Sequence, residues 1–131
     1  MPYEHLKPDE KVIAKASIAK GIFKLSNMKF DVHIGKGFEA SEEEGEKERE
    51  MFKRLTQKRI DAIEENNNII KIIEFTPRIS ARTIGNLIAY KSILKKEIDT
   101  RKTIELWLIT SDVDKELLEL VKELKINLRE V

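Results

Sequence analysis

The chain has 131 residues, 40% of them hydrophobic and 37% charged, and a net charge of +1. That composition fits one domain with a single core, excludes a disordered chain, and leaves no overall basic field, so a nucleic-acid surface would have to be local. The lack of cysteine excludes disulfides and thiolate metal sites.

In chain order, the first predicted element is a helix from Pro8 to about Lys24. Pro8 and Asp9 suit a helix start, and Val12, Ile13, Ala16, Ala19 and Phe23 recur at helical spacing. The stretch "MKFDVHIG" reads as a strand with one buried face, because Met28, Phe30, Val32 and Ile34 alternate with Lys29, Asp31 and His33. Seven Glu residues between Glu39 and Glu50 predict a solvated loop leading into a short helix near Lys47 to Leu55. The run lacks the Asp/Asn alternation of a calcium loop.

"KRIDAIEENNNIIKIIEFTP" predicts a hairpin, with apolar runs on either side of "EENNN" and Asn supplying the positive φ of a tight turn. A two-residue turn at Asn66-Asn67, or a four-residue loop from Glu65 to Asn68, sets Asp61 opposite Ile72. Asp61 and Glu74 are then diagonal neighbours on one face, roughly 7–8 Å apart between Cα atoms. A three-residue loop would put them on opposite faces.

After Pro77, "SARTIGNLIAYKSILKK" predicts a helix capped by Ser80, with Ala81, Ile84, Leu87, Ile88 and Leu94 as its apolar stripe. "IELWLIT" is apolar on both faces apart from Glu105, as in a strand covered on both sides. Ser111 or Asp112 would cap a helix over "DVDKELLELVKELK", whose core face is Leu117, Leu118, Val121 and Leu124. "INLREV" gives a last strand. The predicted fold class is α/β in the order α-β-β-β-α-β-α-β, one domain over residues 1–131 with a mixed sheet flanked by helices. The Asp61 and Glu74 strands should be antiparallel, and the Trp107 strand central and parallel to the Glu74 strand.

This order, with "RIDAI" and "IIEFTPRISARTIGNLIAYKSIL", resembles the PD-(D/E)XK nuclease superfamily, the restriction-endonuclease-like fold with an αβββαβ core, over roughly Pro8 to Val131. The strand "FDVHIG" is similar to the first strand of small phage and archaeal members. The resemblance matches Asp61 to the family's first carboxylate and Glu74 to its second, and "GNLIAY" to the following helix, with Asn86 in place of Gln and Tyr90 kept. It implies that Asp61, Glu74 and the carbonyl of Phe75 hold Mg2+ or Mn2+, and that DNA is the partner. The family's lysine is replaced by Thr76, which cannot supply its charge. Lys91 is then the best-placed substitute, because the helix stripe carries it toward the sheet, whereas Lys71 points to the other face. Arg59, Arg78 and Arg82 are candidates for phosphate contact, and Glu10 for an extra acidic ligand.

A plainer reading stands beside this one. Asp61 could pair with Arg59 or Lys71, and Glu74 with Arg59, as ordinary salt bridges near a strand end. His33 would be solvated or line a groove. Two function classes follow: a metal-dependent nuclease acting on DNA, or a nuclease-fold module without catalysis that serves in assembly, for example in a tailed-phage virion. The expected location is the cytoplasm, or the virion for a viral protein. A homo-oligomer or an assembly partner fits either class, and no apolar run approaches the roughly 18 residues of a membrane span.

Overall fold

In the computed structural model, which describes residues 2–37 and 45–131, Pro8 opens helix α1 (Pro8–Ala19) and the Glu10 carboxylate accepts the Lys7 N–H at 3.0 Å. The helix stops short of Lys24 because Gly21 takes a left-handed conformation, φ 74°. Its buried face is Ile13, Ala14 and Ser17, while Val12 is 68% exposed, so the stripe is rotated from the one predicted.

Five strands follow: β1 (Met28–Ile34), β2 (Lys58–Glu65), β3 (Ile69–Arg78), β4 (Thr103–Asp112) and β5 (Ile126–Glu130). They form one mixed sheet in sequence order. β1, β2 and β3 are antiparallel neighbours, and β3, β4 and β5 run parallel. The antiparallel β2–β3 pair and the parallel β4 are as expected, although β3 rather than β4 is the middle strand. Helix α2 (Glu46–Thr56) joins β1 to β2, and helices α3 (Ala81–Glu97) and α4 (Leu118–Glu123) make the crossovers between the parallel strands. The part of the acidic run expected to form a loop, residues 39–44, lies outside the described residues. Among those described, no helix is long and apolar enough to cross a membrane.

Two apolar layers cover the sheet. Ile13, Ala14, Phe23, Ala62, Ile73, Phe75 and Ile109 pack on the α1 side. Ile60, Ile72, Ile84, Leu87, Leu94, Leu106, Leu108 and Val121 pack on the α3 side. Each fully buried aliphatic side chain contributes about 1.5–3 kcal/mol. Phe30 and Ala62 belong to the α1 layer, yet Val32 and Ile60, two residues along the same strands, belong to the α3 layer. Strict alternation over "MKFDVHI" therefore fails. Asp31, at φ 53°, sits at the kink where β1 changes face.

The β2–β3 turn also differs from expectation. Ile63 pairs with Ile72 and Glu65 with Ile70, and the Asn66 N–H donates to the Ile69 carbonyl at 3.0 Å. The turn is thus centred on Asn67-Asn68. Asn66 Oδ1 closes it by accepting the N–H groups of Asn68 and Ile69, each at 2.8 Å. None of the three asparagines has a positive φ. A side-chain carbonyl has taken the role expected of left-handed backbone.

Two helices are shifted. Ser80 caps α3 as expected, accepting the Thr83 N–H at 3.2 Å, but its buried face is Ile84, Leu87, Tyr90 and Leu94, with Ala81 and Ile88 exposed. Strand β4 continues through the residues expected to cap the next helix. Asp114 caps a 3-10 turn instead, accepting the Glu116 N–H at 3.1 Å, and α4 is only six residues long.

Candidate functional site

The β2–β3 ladder ends at Ala62 and Ile73. Carrying that register one step on puts Asp61 opposite Glu74, not opposite Ile72. Beyond this point side chains bridge the two strands. The Asp61 N–H donates to Glu74 Oε1 at 3.2 Å, and the Phe75 N–H donates to Asp61 Oδ2 at 3.0 Å. Each carboxyl group therefore crosses to the other strand. Glu74 lies on the α3 side by alternation, since Ile73 and Phe75 belong to the α1 layer.

Burial raises both acids. The Asp61 carboxyl is pushed above its ordinary value by desolvation, partly offset by the Phe75 N–H and by a hydrogen bond from Glu74. Glu74 is pushed up to about 9, first by burial and then by the charge of Asp61. The pair as a whole is thereby driven toward a singly protonated form, the arrangement expected of two close carboxylates in a dry site. Glu10, on α1, adds a like charge that raises both. The Tyr90 hydroxyl is pushed up to about 12, by burial first and then by Glu74 and Asp61. A charge on α1 and a side chain on α3 are thus electrostatically linked to the acids of β2 and β3.

The salt-bridge reading is not what forms. Arg59 Nε binds Asp31 Oδ1 at 2.7 Å, and that hydrogen bond holds the Asp31 carboxyl below its ordinary value. Lys71 pairs with Glu64 at 3.2 Å on the α1 side, with its ammonium 4.6 Å from the Trp107 ring centroid. Neither base meets Asp61 or Glu74 as an ion pair.

The remaining candidates divide. Thr76 stands next along β3, but its hydroxyl donates to the Arg78 carbonyl at 2.8 Å. Lys91 is half-buried on α3 and makes no ion pair or hydrogen bond with either acid; the charges that act on Glu74 are those of Asp61 and Glu10. Arg78 is exposed, 3.8 Å from Asp112, and Arg82 is exposed with its charge acting on Tyr90. Asn86 is half-buried one turn before Tyr90 on α3.

His5 is the residue that sequence reasoning passed over. Its Nε2 is buried without a hydrogen-bond partner, 3.9 Å from Asp61 Oδ1. No spacing announces it, because it lies in the irregular segment before α1 and reaches the site only through the fold. His33 Nε2 lies 3.7 Å from Asp31, and its Nδ1 is likewise buried without a partner.

Among the described residues no three His, Asp or Glu side chains are gathered as a ready metal cluster. The donors at the strand junction are the two carboxylates and the carbonyl of Phe75, which leaves β3 on the same edge as the N–H that Asp61 accepts. This all-oxygen set has the ligand chemistry that suits a hard divalent cation. Comparison with family models, curated proteins and solved structures finds no match for the chain.

Proposed function

We propose that the chain is a nuclease-like, DNA-acting protein whose site is the Asp61–Glu74 pair. The observation that carries this reading is the pair of acids that cross between the strands at the end of the β2–β3 ladder, each accepting a backbone N–H of the other strand, with the Glu74 carboxyl pushed up to about 9 by burial and by Asp61. Such a pair gains most by exchanging its proton for a divalent cation. Mg2+ or Mn2+ would be held by Asp61, Glu74 and the Phe75 carbonyl, and would lower the pKa of a bound water and stabilise charge on a phosphate. Arg78 and Arg82, both exposed, would meet the nucleic-acid backbone.

A second reading, a nuclease-fold module without catalysis that acts in assembly, draws on a different observation. Thr76 is tied to the backbone of its own strand, and among the described residues no lysine forms an ion pair with either acid. Two measurements decide. Supercoiled and branched DNA incubated with magnesium, manganese or chelator should be cut only with metal, and not by Glu74→Gln. Manganese at a hundredfold excess over Kd should add about 2.7 kcal/mol, a melting shift of several degrees, to the wild type and much less to Asp61→Asn or Glu74→Gln. Metal-specific stabilisation without cleavage of any DNA would select the assembly reading. An equal shift in all three proteins would remove the pair as the metal site.

A further inference from the structure

A cavity of about 370 Å³ opens where β1, the start of β2 and the end of α3 meet. Its floor is Ile34 and Ile93, both in the α3-side layer, and its rim carries Lys36, Lys58 and Lys96. The carboxylate on this rim, Glu97, is engaged by the Gly35 N–H at 2.5 Å, and the Gly35 carbonyl accepts from the Gln57 amide at 2.7 Å. Among the described residues the three lysines make no ion pair. The site is therefore apolar at the bottom and cationic at the mouth, and its volume is that of a small-molecule pocket.

Its position limits what it would hold. Lys58 precedes Asp61 by three residues on β2, about 10 Å along the strand. On α3, Ile93 lies one turn beyond Tyr90, the residue that feels the charge of Glu74. A strand with one phosphate at the carboxylates would pass the lysines within very few nucleotides. A base paired and stacked in a duplex cannot enter such a pocket, whereas an unpaired one can put its apolar face on the isoleucines.

We propose that this cavity receives the unpaired base of a nucleotide next to the bound phosphate, with Lys36, Lys58 and Lys96 holding its flanking phosphates. The inference rests on the nuclease-like reading and narrows its substrate class to DNA carrying an extrahelical or single-stranded nucleotide.

Three probes of equal length test it with the full-length protein in chelator: a plain duplex, a duplex with a one-nucleotide bulge, and the same bulge lacking its base. The bulge should bind at least tenfold tighter than the duplex, and loss of the base should remove most of that preference. Ile93→Trp, which fills the floor, and Ile93→Gln, which makes it polar, should abolish the preference while leaving duplex binding near wild type, with circular dichroism showing that both variants, which lose some core packing, remain folded. Replacing the three lysines by Gln should weaken binding of every probe and flatten its salt dependence. Equal binding of base-bearing and abasic bulges, or a preference that survives both Ile93 variants, overturns the proposal. If DNA is then still cut with manganese, the pocket alone is refuted. If the protein binds no probe and cuts no DNA, the nuclease-like reading falls with it.

Discussion

A carboxyl group that keeps its proton to about pH 9 reverses the usual effect of pH on an acidic residue. In the unfolded chain Glu74 releases that proton near its ordinary value of 4.5. Between these values folding takes up a proton, so the contribution of Glu74 to stability is fully present below about 4.5 and is lost as pH rises through about 9. Asp61 is shifted in the same direction and adds to the slope. Metal-free wild type should lose stability relative to Glu74→Gln as the pH is raised from 5 to 9, read as melting temperature against pH for the two proteins. Gln keeps the acceptor for the Asp61 N–H and offers its NH2 to the Asp61 carboxylate, so it should melt at or above wild type at pH 7.5. Glu74→Ala strands that N–H and should cost about 1–3 kcal/mol in denaturant unfolding.

At the scale of elements, the β2–β3 turn makes the sharpest prediction. Asn66 Oδ1 accepts two backbone N–H groups at once, so Asn66→Asp should be nearly neutral. Asn66→Ala should lower stability by about 1 kcal/mol, because both donors then depend on water. Substituting Asn67 or Asn68 should do much less. This turn also shows how far the sequence could be read. Apolar runs around three asparagines specify a hairpin, but which asparagine closes it depends on a side-chain hydrogen bond that composition does not encode. The result was a register displaced by two residues, from Ile72 to Glu74 opposite Asp61. A shift of two preserves which face each residue occupies. For that reason the two acids could be paired from sequence although their direct contact could not. The stripes of α1 and α3 failed differently. Val12 and Ile88 fit an apolar periodicity, yet both are exposed, because which arc of a helix is covered depends on how it docks on the sheet and not on its own spacing. His5 was illegible because only the tertiary fold brings the segment before α1 to Asp61.

For the whole molecule, the two faces of the sheet handle charge in opposite ways. Glu74, on the α3 side, is driven toward its neutral form by burial and by the charge of Asp61. On the α1 side Glu64 is 7% exposed and fully engaged, accepting the Lys24 N–H and pairing with Lys71. Removing one member of such a pair leaves a buried charge without its partner, so Lys71→Ala should cost about 3–5 kcal/mol. Glu64→Gln combined with Lys71→Met should recover most of that loss, and a double-mutant cycle by urea unfolding would measure the coupling.

The same Lys71 lies over the only tryptophan, whose ring meets Phe23 edge-on at 5.4 Å between centroids and whose indole N–H donates to Glu105 at 3.0 Å. Trp107 is therefore an intrinsic optical probe of one side of the sheet. Its emission should redden when α1 and the Phe23 segment lift away. Titration of a diamagnetic cation such as Mg2+ into the acidic pair should leave that emission unchanged. A single fluorescence trace can thus tell a ligand that fills the site from a perturbation that loosens the fold around it.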